Sequence, residues 1–249
     1  MDPNGYLPML RVTPSKLAPR ALVVGDPARA AQAAQLLTDP DEVGNNREYR
    51  TFTGTYAGFP LTISSHGIGG PAASVCFKEL FQGGVKTIIR AGTCGALVET
   101  IDDGQLVLAT GAIREDGTST SLIPLAYPAI ADRHIVQALE KSAADLGYNS
   151  LHIGVVLTQS YLYPDLLPTT TELWMKAGAV GLEMELATLL VMAGLHGVRA
   201  GGIFTSDGNL ARREAPDLAT SAYDPHRDVV AHGVQTMLTI ALEALAHLP

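Results

Sequence analysis

The sequence predicts a single-domain, three-layer α/β/α fold with a central mixed, mostly parallel sheet, and three observations support it. Short apolar runs rich in β-branched residues alternate along the chain with segments of helical composition. These runs do not alternate cleanly between apolar and polar residues, which indicates strands covered on both faces. No change of composition, internal repeat or low-complexity tract divides the chain, so we expect residues 1–249 to form one domain.

Strands are predicted wherever a short apolar run is rich in β-formers. In chain order the predicted strands are 21–25, two runs within 49–65 that Ala57-Gly58 joins as a hairpin, 85–92, 105–113, 151–158 and 198–206. Because helices separate most of these runs, we expect most neighbouring strands to be parallel.

Helices are predicted where residues between these strands have helical composition or spacing. In chain order the predicted helices are 29–37, 71–81, 128–147, 185–197 and 226–248. Pro71 suits a first turn, and Gly147 suits a helix end. The fourth helix is almost wholly apolar, so we expect it to be buried. Residues 207–225 form a long polar stretch that we interpret as a lid or binding loop, with a merely solvated loop as the alternative.

Composition excludes several classes of protein. Hydrophobic residues make up 47% of the 249 residues, which excludes a fully disordered chain. A net charge of −8 and a sequence pI near 5.3 disfavour broad binding to nucleic acid. The N-terminus lacks the features of a signal peptide, and no apolar run reaches membrane-spanning length, so we expect no membrane partner.

The cysteines and histidines bear on compartment and metal content. Cys76 and Cys94 form no CxxC motif, so we expect a reducing compartment and a cytoplasmic location. The seven histidines form no HExxH motif and no tight cluster, so we expect no metal site.

Glycines and charged residues follow four of the predicted strands, at the edge where α/β sheets bind ligands. Arg90 follows three strongly β-forming positions, Thr87, Ile88 and Ile89, and arginine is rarely buried unless it is paired. Beside Gly92 and Thr93 its guanidinium suits a phosphate, with an internal salt bridge as the alternative. Gly25 precedes a predicted helix N-terminus whose first turn carries Arg29. We therefore expect Arg29 and Arg90 to hold one phosphate-sized anion.

One glycine turn has a second interpretation. Gly67, Gly69 and Ala72 match the spacing G-x-G-x-x-A of a dinucleotide-binding turn. The next strand carries Arg90 where an acidic residue would bind a ribose hydroxyl, so NADP is the alternative ligand. We favour a tight turn that gives a small ligand close access to the backbone.

Three carboxylates lie where they could reach the same ligand. Glu183 and Glu185 border the apolar helix, where a carboxylate can accept two hydrogen bonds from a diol such as ribose. For Glu185 the alternative is a favourable interaction with the helix dipole. Asp207 follows the last predicted strand and could act as a general acid if burial raises its pKa. Its alternative role is to cap the turn at Gly208.

Six motifs occur along the chain in the order GDPxR, NREYR, SHGIGGP, IIRAGTCGAL, GLEMELATL and SDG. Over about residues 20–245 the chain resembles the nucleoside phosphorylase family, which includes hexameric purine nucleoside phosphorylases and uridine phosphorylases. The resemblance implies cleavage of a nucleoside by inorganic phosphate into a free base and a pentose 1-phosphate. It implies no metal or organic cofactor, and a homo-oligomer that is a hexamer.

The resemblance also implies roles for individual residues. The positions that match the phosphate site are Gly25, Arg29, Arg90 and Thr93, with Arg47 reaching across from a neighbouring subunit. The positions that match the nucleoside site are Cys94, Gly95, Leu162, Leu182, Glu183, Met184 and Glu185. Of these, Glu185 accepts hydrogen bonds from the ribose hydroxyls. Ser206 and Asp207 match the pair beside the purine, where the acid protonates or hydrogen-bonds N7.

Departures from the family pattern bear on the choice of base. No histidine precedes His66, and Met9 falls near the place of the family's N-terminal histidine. Leu162 occupies the usual aromatic position. Uridine phosphorylases carry a Gln and an Arg soon after a Tyr-Pro dipeptide, whereas 165–168 after Tyr163-Pro164 contain neither. With Asp207 present, a purine is the preferred base.

Four alternatives stay open at this point: a uridine phosphorylase, a nucleoside hydrolase of the same fold, an NADP-binding oxidoreductase and a non-catalytic nucleoside-binding protein. The two arginines of the anion site argue against the hydrolase, and the catalytic groups that are present argue against the binding protein. The sequence leaves open the base, ribose against deoxyribose, the oligomer size, and whether Arg212 or Arg213 assists Asp207.

Overall fold

A computed structural model describes residues 2, 5–212 and 226–248 of the chain. Its centre is one mixed sheet of ten strands. In chain order the strands are β1 (Arg20–Val24), β2 (Thr38–Asn46), β3 (Tyr49–Tyr56), β4 (Phe59–Ser65), β5 (Thr87–Ala96), β6 (Leu106–Glu115), β7 (Ala129–Ile130), β8 (His152–Gln159), β9 (Gly181–Glu183) and β10 (Arg199–Asn209).

Part of this sheet closes on itself. The strand order β10-β6-β8-β9-β5 returns to its start because β5 also pairs with β10, so these five strands form a ring. From β5 the sheet continues outward through β1, β4, β3 and β2. β1 is parallel to both β4 and β5, and β5 is parallel to β10. The carboxyl ends of these four strands therefore lie at one edge of the sheet, where α/β folds bind ligands.

Helices cover both faces of the sheet. The helices of the described residues are α1 (Pro27–Ala34), α2 (Gly69–Gln82), α3 (Thr118–Leu122), α4 (Arg133–Asp145), α5 (Thr171–Lys176), α6 (Leu186–His196) and α7 (Asp228–His247), with one 3₁₀ turn at Pro14–Lys16. Buried side chains of α1, α4 and α7 share one apolar cluster, whereas those of α2 and α6 share another. The predicted mixed α/β fold with helices on both faces of its sheet is confirmed.

The predicted strands and helices are all present, and the unpredicted ones are short or polar. β2 has the sequence TDPDEVGNN and is mostly exposed at the edge of the sheet, with antiparallel β3 as its one partner. Such a segment carries no apolar pattern to reveal it, and an edge strand tolerates Pro40 because half of its backbone groups need no partner. The other missed elements, β7, β9, α3 and α5, have two to six residues each.

The third predicted helix begins later than expected. Residues 128–132 are not helical: Ala129–Ile130 forms β7, which pairs with β6, and α4 starts at Arg133. The carboxylate of Asp132 accepts hydrogen bonds from the backbone N–H groups of His134 and Ile135. This N-cap satisfies donors at the helix start and sets the boundary.

α7 is long and apolar enough to cross a membrane by length and composition alone, within the residues that the structure describes. Most of its apolar window is buried inside the fold, where Met237, Leu238 and Leu242 join the cluster with α1 and α4. Packing against the sheet accounts for its apolar character.

Candidate active site

A cavity of about 580 Å³ opens at the carboxyl ends of β1, β4, β5 and β10. Twelve of the residues singled out in the sequence line it: Gly25, Arg29, Arg90, Thr93, Cys94, Gly95, Leu162, Leu182, Glu183, Met184, Glu185 and Asp207. Three more lining residues, Gly67, Ala72 and Gly92, belong to glycine turns that were expected beside the ligand. The lining residues that were not predicted are Asp26, Pro27, Glu48, Ile68, Gly208 and Leu210. A cavity of this volume accommodates a small organic ligand.

Arg90 lies within β5 rather than at its end, and its side chain is 4% exposed. Its Nε donates to Glu183 Oε2 at 3.1 Å, and its Nη2 donates to Glu185 Oε2. Its Nη1 lies 3.0 Å from Nε2 of His66. The internal salt bridge is therefore present. These contacts use three of the five guanidinium N–H groups, which leaves two for a ligand.

Glu183 holds the start of α6 in place. Its Oε1 accepts from the Thr158 hydroxyl at 2.5 Å, and its carboxylate accepts from the backbone N–H groups of Glu185 and Leu186. With the Arg90 contact, both of its oxygens are engaged. A buried carboxylate is stable there because it is paired and hydrogen-bonded. Glu183 thus shapes the cavity wall, and any contact with a nucleoside is additional to this role.

Glu185 sits at the N-cap position of α6, but its carboxylate does not cap the helix. Instead, Oε1 accepts from the backbone N–H of Gly69 at 2.6 Å, and Oε2 accepts from Arg90. Burial raises the pKa of Glu185, with Arg90 acting in the opposite direction. Each carboxylate oxygen has two lone-pair directions, so Glu185 can still accept from a diol. The alternative role of Glu185, a favourable interaction with the dipole of α6, is not what these contacts show, because its carboxylate is bound by Arg90 and Gly69.

The same contact bears on the dinucleotide interpretation. In a dinucleotide fingerprint, the backbone N–H groups of the glycine turn face a pyrophosphate. Here the N–H of Gly69 faces the carboxylate of Glu185, and a Cβ on Gly67 would lie 2.7 Å from Cγ of Glu48. Carboxylates surround this turn, so it is poorly suited to a second phosphate group.

His66 follows β4 and is fully buried, and it was not among the predicted site residues. Its Nδ1 lies 2.8 Å from the carbonyl oxygen of Gly67, and its Nε2 faces Arg90. The sequence did contain a reason to predict His66 as a site residue. A histidine directly after an apolar strand has few polar partners unless a polar site supplies them.

The turn after β1 differs in one detail from the expected anion site. The carboxylate of Asp26 accepts from the N–H of Ala28 at 2.8 Å and so caps α1. That donor is therefore engaged, although Gly25 and Arg29 both line the cavity. Gly25 and Arg90 both lie next to His66, because a Cβ on Gly25 would lie 3.9 Å from Cε1 of the ring and Nη1 of Arg90 contacts its Nε2. Arg29 lines the same cavity.

Asp207 does not end β10, which continues to Asn209. The pairing with β5 shifts between Ser206 and Gly208, so Asp207 is the additional residue of a β-bulge. A bulge re-aims a side chain, and here Asp207 lines the cavity. The carbonyl oxygen of Asp207 accepts from Arg227 at 3.0 Å, a contact that the sequence did not predict.

Cys94 and Ser206 pair across β5 and β10. Burial, Asp207 and Glu183 raise the pKa of the Cys94 thiol, in that order of importance, whereas Arg90 lowers it. Asp207 lies between Ser206 and Gly208, the pairing partners of Cys94 and Gly95, so Asp207 and Cys94 are neighbours in the cavity wall. Ser206 is buried and does not line the cavity. The leucine side chains that line the cavity are Leu162, Leu182 and Leu210, which suit an apolar part of a ligand.

Arg47 lies outside the cavity, unlike the other predicted phosphate-binding residues. It is exposed in the two-residue turn between β2 and β3, with a positive φ of 56°. The next residue, Glu48, does line the cavity. Arg47 therefore points to solvent from a hairpin that borders the site of its own chain.

Of the predicted loop 207–225, residues 213–225 lie outside the described residues, as does Arg213. Arg212 donates to the carbonyl oxygen of Glu99 and to Asp102, both at 2.7 Å. This guanidinium is directed toward the β5–β6 connection, so Arg212 does not supply the partner for Asp207.

No group of three or more His, Cys, Asp or Glu side chains is arranged to hold a metal ion within residues 2, 5–212 and 226–248. The five carboxylates around the cavity belong to Asp26, Glu48, Glu183, Glu185 and Asp207. Of these carboxylates, Asp26, Glu183 and Glu185 accept hydrogen bonds from guanidinium, hydroxyl or backbone N–H donors.

A concave cavity at the carboxyl ends of parallel strands, lined by arginines and buried acids, is typical of α/β proteins that bind small polar ligands. The sequence profile of the phosphorylase superfamily matches residues 19–246, and the chain belongs to that superfamily. The motif resemblance is thereby confirmed.

The similar proteins include purine nucleoside phosphorylases and uridine phosphorylases. The chain is 34% identical over 241 residues to a purine nucleoside phosphorylase of Plasmodium vivax (strain Salvador I), across 96% of this chain and 95% of that protein. It is 36% identical over 234 residues to a uridine phosphorylase of Treponema pallidum (strain Nichols), across 90% and 87%. A crystal structure of Toxoplasma gondii purine nucleoside phosphorylase in complex with immucillin-H has a TM-score of 0.92 and 33% identity, across 100% and 98%.

Proposed function

We propose that this protein cleaves purine nucleosides of the inosine, guanosine or adenosine type with inorganic phosphate, giving a free base and (deoxy)ribose 1-phosphate. The observation that carries the proposal is the order of groups around one cavity. Arg90 contacts Glu185 within the cavity that Arg29 also lines, and Asp207 lies beside Cys94 and Gly95, four to five residues further along β5 than Arg90. This order matches phosphate, sugar and base in a nucleoside undergoing phosphorolysis.

In the proposed reaction, an oxygen of phosphate attacks C1′ of the sugar as the bond from C1′ to the base nitrogen breaks. The two arginines hold the phosphate, and Glu185 accepts hydrogen bonds from the ribose hydroxyls. The electron pair of the broken bond moves to the base. Asp207 then supplies a proton at N7, which neutralises the developing charge. Phosphate is a co-substrate, and no organic cofactor or metal takes part.

Asp207 favours a purine over uridine, because a purine offers N7 to an acid at this place. A uridine phosphorylase is the second candidate, since relatives of both kinds match nearly the whole chain. The stretch after Tyr163-Pro164 argues against it, since Asp165, Leu166 and Leu167 offer no amide or guanidinium for the uracil edge.

The proposed active unit is a cytoplasmic oligomer of at least two subunits, and by resemblance a hexamer. Arg47 supports this unit, because it is exposed and lies outside the cavity of its own chain. A guanidinium at a hairpin tip can reach the anion site of a neighbouring copy.

Phosphate dependence across a nucleoside panel tests the proposal. Inosine, guanosine, adenosine and uridine are each incubated with and without inorganic phosphate, and sugar 1-phosphate is measured directly. We expect a purine nucleoside to be turned over only with phosphate. Equal turnover in phosphate-free buffer would show a hydrolase, and turnover of uridine alone would favour the second candidate.

A further inference from the structure

His66 occupies a position for which the proposed mechanism has no use. It is fully buried at the carboxyl end of β4, with its ring edge-on to Phe77 of α2 at 5.4 Å between centroids. Both ring nitrogens nevertheless have polar partners, Gly67 on one side and Arg90 on the other. A buried imidazole with both nitrogens engaged has a fixed orientation.

The two contacts specify the tautomer of the ring. The Gly67 carbonyl oxygen only accepts, so Nδ1 of His66 must carry the proton and donate to it. Nε2 is then left as an acceptor, and it receives an N–H from Nη1 of Arg90. The carbonyl reaches Nδ1 from a residue whose φ is +75°, a conformation that glycine adopts without strain.

Arg90 is confined on its other sides as well, except the side that lines the cavity. Glu183 and Glu185 take two of its nitrogens, and its guanidinium carbon lies 5.3 Å from the centre of the Phe204 ring. A Cβ at Gly92 would lie within 2.9–3.0 Å of the guanidinium. Of the three side chains that hydrogen-bond Arg90, His66 is the one that is not a carboxylate. It therefore orients Arg90 without adding negative charge to a site for an anion.

We propose that His66 is a positioning residue for phosphate: as a neutral acceptor it fixes the Arg90 guanidinium so that the remaining N–H groups face the bound anion. This inference rests on the proposed function, in which Arg90 contacts phosphate. The expected class of ligand is an oxyanion of phosphate size.

The surroundings of the ring keep it neutral. The charged groups that act on it are Arg90 from β5 and Arg29 from α1, whereas Phe77 from α2 is uncharged. Burial first, then Arg90, lowers the pKa of His66 well below 6.5. A protonated ring would present Nε2–H to the N–H of Arg90, which would remove the hydrogen bond and place two cations together.

Two variants whose side chains are of similar length test the role of Nε2 as a hydrogen-bond acceptor. His66→Gln places an amide oxygen near the position of Nε2, whereas His66→Met places an apolar group there. Loss of one hydrogen bond to a charged group costs about 1.5–3 kcal/mol, which corresponds to about 10- to 150-fold. We expect His66→Met to raise the KM for phosphate by about tenfold or more with little change in the KM for inosine. We expect His66→Gln to stay within about threefold of the parent protein.

Binding is measured separately by titrating inorganic phosphate calorimetrically into each folded variant. Loss of phosphate affinity in His66→Met but not in His66→Gln supports the proposal, even if turnover of nucleosides is absent and the proposed function fails. Equal phosphate affinity and equal phosphate KM in both variants overturn it, whatever the activity of the parent protein.

A third measurement needs no variant. Nitrogen chemical shifts of histidine side chains distinguish the two neutral tautomers in the parent protein. We expect His66 to be protonated at Nδ1 and to remain neutral across the range in which the enzyme is active. A ring protonated at Nε2 cannot accept from Arg90, and that result would also overturn the proposal.

Discussion

At Arg90, burial and charge act in opposite directions. Burial disfavours the cation, but Glu185 and Glu183 act against it, and the net effect is a raised pKa for this guanidinium. The three side chains are each at most 6% exposed, so none of them is compensated by water. The folded state depends on keeping all three together.

Arg90→Ala should therefore destabilise the protein strongly. Removing one partner of a buried ion pair leaves the other charge uncompensated, at a cost of about 3–5 kcal/mol in the free energy of unfolding. Urea denaturation measures the loss. Arg50→Ala serves as the control, because the Arg50–Glu42 pair is about one-third exposed and should contribute at most about 1 kcal/mol. Similar losses in both variants would contradict the buried network.

Two substrates distinguish a catalytic role of Asp207 from a structural one. If it donates a proton to N7, Asp207→Asn should slow inosine phosphorolysis by about two orders of magnitude, the usual scale for a lost general acid. 7-Methylguanosine already carries a cationic base and should be slowed far less. Measuring kcat for both substrates on both proteins decides the role. A fall by the same factor for both substrates would indicate a structural effect of the bulge.

His66 should also make stability depend on pH. Its pKa lies well below 6.5 in the folded state, whereas the ring in the unfolded chain titrates near that value. As the pH falls below about 6.5, the unfolded state binds a proton that the folded state does not. The free energy of unfolding should then fall by up to about 1.4 kcal/mol per pH unit, and this contribution is complete above that range.

Urea denaturation from about pH 5 to pH 8 measures this dependence, with His66→Gln as the comparison. The variant keeps an acceptor for Arg90 but cannot titrate, so its stability should fall less steeply toward acid. Glu185, whose pKa is raised, acts in the opposite direction and is present in both proteins. Identical slopes would exclude His66 as the source.

At the scale of elements, apolar patterning located the main strands and helices because each buries a recognisable apolar set. β2 was not predicted because its polar residues face solvent and form no apolar pattern. The bulge at Asp207 was not predicted because it arises from a shift in the pairing between β10 and β5. Arg29, Arg90 and Asp207 were identified because glycines and charges follow the strands. The resemblance to the family, and no local pattern, identified Cys94, Gly95, Leu162, Leu182 and Met184. Pair contacts such as Arg90 with His66 depend on elements distant in the chain, which no local pattern encodes.

The hairpin of β2 and β3 joins a second element to the site. The side-chain amide of Asn46 donates to the Met9 carbonyl oxygen at 2.7 Å, and Glu79 of α2 accepts from the N–H groups of Met9 and Leu10. The residues before β1 are thus tied to both α2 and the turn that carries Arg47. Met9 supports the turn through its backbone, a role that does not require a histidine side chain.

At the scale of the whole molecule, an exposed Arg47 predicts complementation between inactive subunits. In a two-fold dimer each site would combine Asp207 of one chain with Arg47 of the other. Mixing Arg47→Ala with Asp207→Asn subunits should restore one intact site per mixed dimer, so activity should exceed that of either variant alone. Denaturation and refolding of the mixture, followed by an inosine assay, measures the recovery.

Two results would contradict this arrangement. Activity that never exceeds the sum of the separate variants would show that Arg47 acts within its own chain or not at all. Full activity of a monomer isolated at assay concentration would show that no neighbouring chain is required.

The ring of five strands has a consequence for synthesis on the ribosome. Among the residues that the structure describes, β10 is the last strand, and it pairs with both β5 and β6, which are made about 100 residues earlier. At about 5–20 residues per second, those two edges wait about 5–20 seconds without their partner. Nascent chains stalled with β10 still inside the ribosome should remain protease-sensitive, and resistance should appear only once β10 emerges. Until then the unpaired edges of β5 and β6 are open to other chains, so we expect aggregation of nascent chains to be most frequent in the interval before β10 emerges.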